Sequence, residues 1–161
     1  MCKHQKGFSL IELLIVVAII LIIAAIAIPN LLRSRMSANE ASAVGSLRTI
    51  NTAEIAYSTT YPDLGFAGLT ALGGVAPCTV ATPASACLID DVLSSAAAVK
   101  SGYGFTVTNL TGAPVVVTYT ATALPVAVGQ SGQRAFCSDQ SGVVRYNDTG
   151  TACDATADPA L

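Results

Sequence analysis

Charge is scarce in this chain, at 11% of residues against about 25% in an ordinary soluble domain, while 52% of residues are hydrophobic. Some of that apolar content must face something other than a self-made core, and lipid or other subunits are the candidates. The formal net charge is −2, which argues against general nucleic-acid binding, since that function wants a basic stripe. Histidine occurs once, as His4, so the rest of the chain lacks the commonest acid–base catalyst and metal ligand. There is no recognisable nucleophile motif and no C-x-x-C spacing, which leaves an enzyme, a zinc site and thioredoxin-like chemistry without support. At 161 residues there is room for one domain and an appendage, and a second core is not expected.

The appendage is an apolar run. Phe8 to Ile28 reads FSLIELLIVVAIILIIAAIAI, 21 residues broken by one hydroxyl and one carboxylate. As a helix it would measure about 32 Å, matching the ~30 Å hydrocarbon core of a bilayer. Ahead of it lies MCKHQKG, short and basic. A secretory signal would instead be cleaved after the apolar stretch, where Ala25 and Ala27 could mimic a small-x-small site. Lys3 and Lys6 on one side face Arg33 and Arg35 on the other, so positive charge does not set the orientation.

Beyond Pro29, Ala38, Ala41, Val44, Leu47, Ile50, Ala53, Tyr57 and Tyr61 recur at steps of three and four. Arg33, Arg35, Asn39, Glu40, Arg48, Asn51 and Glu54 fall between them, a pattern that predicts an amphipathic helix. Pro62 should end it near Tyr61. Pro29 either kinks a single helix over 8–61 or opens a separate one. Residues 62–102 read as a connection, with a possible short helix in Leu88–Lys100. Stretches at 103–109, 115–122, 133–138 and 143–147, separated by turn signals, predict a four-stranded antiparallel sheet within 103–161. The expected fold is α+β, with Tyr103, Phe105, Val107, Val117, Tyr119, Phe136 and Val144 packing on the Val44, Leu47 and Tyr57 stripe.

Cys2 falls in the leader, which leaves an even four cysteines, Cys78, Cys87, Cys137 and Cys153. That count suits disulfides in an oxidising compartment and so an extracytoplasmic C-terminal part. Of the three possible pairings, Cys78 with Cys87 and Cys137 with Cys153 are the local ones. Asp139, Asp148, Asp154 and Asp158 surround the second pair and read as solvated loop acids before they read as calcium ligands. Tyr57 and Tyr61, one turn apart, read as core packing. Asn109 and Asn147 begin N-x-Thr triplets, a short and frequent pattern.

Lys6-Gly7-Phe8-Ser9-Leu10-Ile11-Glu12-Leu13, followed by the apolar run and Pro29, resembles the processing signature of type IV pilins and of type II secretion pseudopilins. The resemblance covers about the first 35 residues. It implies removal of a leader, residues 1–7, between Gly7 and Phe8 by a prepilin peptidase, and methylation of the new Phe8 amine. Without Lys3 and Lys6, six basic residues would face ten acidic ones. The resemblance further implies a membrane-embedded and assembly half at 8–29 and an amphipathic half at 30–61. The precursor would cross the inner membrane once, then leave it through an assembly platform to join identical or homologous pilin subunits in an extracellular or periplasmic filament. A surface pilus serving attachment, motility or DNA uptake is the first reading, and a type II secretion pseudopilin is the alternative. No cofactor or metal is implied. The segments Gly102–Phe105 and Arg134–Arg145 are more weakly similar to the sheet region of pilin-like subunits.

Glu12 has two physical readings. A carboxylate in a membrane helix costs about 2.5 to 3.5 kcal/mol at the bilayer centre on insertion scales and usually marks a function. Pairing with the Phe8 amine of a neighbouring subunit would provide one. Alternatively, Ser9-x-x-Glu12 is a capping box. Physical chemistry alone divides these evenly; the family resemblance favours assembly.

Overall fold

A computed structural model of the chain describes residues 8–74 and 78–161. Two compact units result, one ending at Arg35 and one running from Met36 to Leu161. Helix α1, Leu10–Thr60, is the sole element among the described residues of the first unit and continues into the second. Its end at Thr60 follows from Pro62, which disfavours helix at the residue before it.

In the second unit the buried positions of α1 are Glu40, Ala43, Val44, Ser46, Leu47, Ile50, Asn51, Ala53, Glu54 and Tyr57. These recur at helical spacing, so one stripe faces the core. The stripe differs from the expected one at both ends of polarity. Ala38 and Ala41 are exposed, whereas Glu40, Asn51 and Glu54 are buried. Positions 40, 44, 47, 51 and 54 form a three-and-four series as regular as the apolar one, and residue type did not reveal that it was the inward one.

After α1 come two single-turn helices, α2 at Leu69–Leu72 and α3 at Asp91–Ser94. Asp90 caps α3, its carboxylate accepting from the Leu93 N–H at 2.8 Å. The chain then forms a five-stranded antiparallel meander: β1 Val99–Lys100, β2 Tyr103–Thr111, β3 Thr118–Pro125, β4 Ala135–Asp139 and β5 Arg145–Asn147. Four of these lie where alternation predicted them. The fifth, β1, is a two-residue edge that carries no readable period.

Strand alternation sorts the two faces. Tyr103, Phe105, Tyr119, Ala121, Ala123 and Phe136 point into one core with Val44, Leu47, Ile50 and Tyr57 of α1. Val107 is partly buried against that core and Val144 lies within it. Val117 does not join it and is 60% exposed. It precedes β3 at an irregularity, where register shifts between Thr108 and Thr111 and the Val117 N–H donates to the Thr111 carbonyl. Alanines at 121, 123 and 135, all fully buried, fill space that the expectation gave to larger groups.

The opposite face of β2 and β3 is a threonine ladder. Thr106 pairs with Thr122, Thr108 with Thr120 and Thr111 with Thr118. The Thr106 and Thr122 hydroxyls are 2.7 Å apart, and those of Thr111 and Thr118 also bond. Two glycines are required by close approach. Gly65, at φ 81°, would drive a Cβ into the Val116 carbonyl, and a Cβ at Gly132 would overlap the Tyr103 hydroxyl.

Candidate functional site

The first candidate site is the start of α1. The Leu13 N–H donates to the Ser9 carbonyl at 3.2 Å, which closes the first turn. The Glu12 side chain folds back on that turn, where its Oε2 accepts from the Ser9 N–H at 3.0 Å. This is the glutamate half of a capping box, and it sets a negative charge at the positive helix end. Gly7 lies outside the described residues, as do Cys2, Lys3, His4 and Lys6. Phe8 is the first described residue and is 76% exposed.

Downstream, Leu10, Ile11, Leu13, Leu14, Ile15, Val16, Val17, Ile19 and every later Leu or Ile through Leu32 is exposed. An 18-residue window of α1 has a mean hydropathy of 3.3, and none of it is buried within the chain. By length and composition this segment can cross a membrane. Contiguous exposed apolar surface of this extent marks contact with lipid or with other proteins. Pro29 lies inside α1. With no N–H to give, it leaves the Ala25 carbonyl without the donor that a helix normally supplies.

In the second unit, Cys78 is linked to Cys87 and Cys137 to Cys153, each pair with Cα atoms 5.7 Å apart. Cys137 is fully buried in β4, and its partner ties the C-terminal segment to that strand. The acidic residues nearby serve local turns. Asp139 Oδ1 accepts from the Ser141 N–H and hydroxyl at 2.9 and 2.5 Å, and Asp154 Oδ1 from the Thr156 N–H at 2.8 Å. Asp158 accepts from Asn147 Nδ2 at 3.1 Å. Cys137, Cys153 and Asp158 converge, but the two sulfurs are bonded to each other and neither is a thiolate ligand. Asn147 is also committed locally, its Oδ1 accepting from the Thr149 N–H at 2.9 Å. The Asn109 side chain lies outside the described residues. Tyr57 and Tyr61 have ring centroids 4.9 Å apart, and the Tyr57 hydroxyl donates to the Pro83 carbonyl at 2.7 Å, so the pair anchors a loop.

Three polar groups on the buried stripe of α1 were not legible as functional from the sequence. Glu40 accepts from the N–H groups of Gln133 and Arg134 at 2.9 and 3.2 Å and from Arg134 Nε at 2.9 Å. Burial would raise its carboxyl, but the Gln133 N–H, the Arg134 side chain and the Arg134 N–H together outweigh burial and hold it below the usual range. Asn51 donates to the Ser138 hydroxyl at 2.8 Å and accepts from the Tyr119 hydroxyl at 3.1 Å, which joins α1 to β4 and β3. Glu54 is fully buried, with Oε2 accepting from the Ala67 N–H at 3.0 Å and Oε1 without a partner among the described residues. Burial pushes it up to about 7, against the smaller opposing effect of the Ala67 N–H.

The first unit is an apolar, exposed helix start bearing one acid, and the second is a disulfide-linked domain of helix on sheet. Residues 2–28 match the family described as the prokaryotic N-terminal methylation motif. The chain thus carries a prokaryotic N-terminal methylation motif, and the two curated proteins similar to it over this segment are named as pilus major components. It is 63% identical over 38 residues to the type IV wide pilus major component PilA4 of Thermus thermophilus, covering 24% of this chain and 29% of that protein. It is 47% identical over 51 residues to the type IV major pilin protein PilA of Myxococcus xanthus, covering 32% of this chain and 23% of that one. The chain therefore spans less than a third of the length of these relatives. No solved structure is significantly similar to it.

Proposed function

We propose that this chain is the precursor of a structural, non-enzymatic subunit of a type IV pilus, which polymerises with other pilin subunits through its N-terminal helix. The observation that carries this reading is the exposed apolar surface from Phe8 to Leu32, opened by Glu12 and coincident with the methylation motif. Lipid covers that surface in the precursor and neighbouring helices cover it in the filament. A prepilin peptidase removes residues 1–7 between Gly7 and Phe8 at the cytoplasmic side of the inner membrane, and the Phe8 amine is methylated. The assembly platform then extracts the subunit, with its domain already on the outer side, where the two disulfides form. Attachment, motility and DNA uptake are the uses such a filament serves.

Intact-mass analysis of sheared surface filaments tests the proposal. The expected species starts at Phe8 and carries one methyl group. Filaments that keep Met1 to Gly7 would overturn the processing step, and absence of the chain from sheared filaments would overturn the structural role.

A further inference from the structure

Glu54 belongs to neither the N-terminal apolar segment nor the disulfide-linked loops. It is completely buried on the core stripe of α1, yet neither of the described salt bridges includes it. The Glu54 charge is felt by the Tyr57 phenol of its own helix and by the Tyr119 phenol of β3. Burial comes first in raising both phenols, and the Glu54 charge raises them further. The segment after α1 offers it one backbone donor, the Ala67 N–H, and one of its two oxygens accepts from none of the described residues. An ionised carboxylate in so buried a place, with a single hydrogen bond and no ion pair among the described residues, carries a desolvation cost that its contacts do not offset.

The residue it holds is structurally central. Phe66 and Leu64 bracket Gly65 and bond to Val116, with the Phe66 N–H donating to the Val116 carbonyl at 3.0 Å and the Val116 N–H to the Leu64 carbonyl at 2.9 Å. The Phe66 ring meets Tyr119 edge-on at 4.8 Å. The connection from Leu64 to Ala67 is therefore fastened to the β2–β3 loop at one side and to α1 through Glu54 at the other.

We propose that Glu54 is a proton-keyed latch, its neutral carboxyl holding the Leu64–Ala67 connection against α1 and its ionised form loosening that connection and the domain with it. This goes beyond the filament role and does not depend on it. The proton leaves to solvent, and Oε1 is left as a buried charged oxygen without a donor.

The sign follows from linkage. A carboxyl raised from 4.5 in the unfolded chain to about 7 in the folded one binds its proton more tightly when folded. Its contribution is fully present below pH 4.5 and is lost as pH rises through 7. Between pH 5 and pH 8 the folding equilibrium constant should fall about 70-fold from this group alone.

Thermal unfolding of the full chain in detergent micelles, wild type beside Glu54→Gln, tests this over pH 5 to 8. The glutamine keeps an acceptor for Ala67 but cannot ionise. The wild type should lose stability with rising pH while the variant stays level and is the more stable of the two at pH 8. A level wild type, or a variant with the wild-type slope, overturns the latch. Should the variant not fold, carbon-13 NMR of the Glu54 carboxyl in the wild type decides. A midpoint near 7 supports the latch, and one near 4.5 overturns it.

Discussion

Arg134 Nη2 lies 2.8 Å from Glu40 Oε2, an ion pair that joins α1 to the entry of β4 across 94 residues of sequence. The same guanidinium sits over the Phe136 and Tyr146 rings, at 5.4 and 5.5 Å from their centroids. Its plane thus stacks on two aromatic groups while its edge meets the carboxylate. Lysine cannot do both, so Arg134→Lys should cost about 1 to 2 kcal/mol in denaturant unfolding despite keeping the charge. Equal stability of the two proteins would show that the stacking contributes nothing.

Glu40→Ala should be worse, at about 3 kcal/mol, because it strands the N–H groups of Gln133 and Arg134 as well as the guanidinium. The pH dependence runs opposite to that of Glu54. Glu40 is depressed in the fold, so its contribution is present above pH 4.5 and is lost as pH falls through the lower folded value. Acid unfolding followed by circular dichroism should therefore show wild type and Glu40→Gln converging at the acid end and diverging toward neutrality.

How much of this could be read from the sequence differs by element. The apolar run, the helix end at Pro62 and four strands follow from composition, from a proline rule and from alternation, all of which act locally. Glu40, Asn51 and Glu54 escaped because their burial depends on partners from Ala67 to Ser138, which no local period encodes. The start of the candidate site was legible through its motif. Its internal geometry, Glu12 bonded back to Ser9, fits the capping reading without deciding between it and assembly.

Glu12→Gln separates those two roles. Glutamine can still accept from the Ser9 N–H but carries no charge. Under the assembly role, the variant is made, processed and held in the membrane while sheared filaments are scarce by electron microscopy. Abundant filaments would leave capping as the whole role. A charge pair of the kind assembly requires attracts by about 4 kcal/mol at roughly 4 Å and an effective dielectric near 20.

The disulfides should contribute unequally. In the chain-entropy picture the Cys137–Cys153 link, closing a separation of 16, adds about 3 kcal/mol. The Cys78–Cys87 link, with a separation of 9, adds about 0.5 kcal/mol less. Paired serine variants compared in urea test the order, and non-reducing peptide mapping tests the linkage itself.

Two substitutions test the packing. Gly132→Ala forces a methyl into the Tyr103 hydroxyl, which itself donates to the Arg134 carbonyl at 2.8 Å, and should cost about 1 to 3 kcal/mol. Val117→Thr, at an exposed position, should change stability by less than about 0.5 kcal/mol. A large loss at Val117 would return that residue to the core.

The threonine ladder on β2 and β3 bears on how a sheet face in so weakly charged a chain holds water. Ordinary soluble domains are kept apart by like-charge repulsion, which salt weakens over about 8 to 10 Å at physiological strength. Hydroxyl groups hold water through neutral hydrogen bonds, which screening does not reach. Thr106, Thr108 and Thr111 line this face with neutral hydroxyls, those of Thr106 and Thr111 also bonding across to Thr122 and Thr118. Sea water, brackish water and fresh water should therefore find this face equally wet.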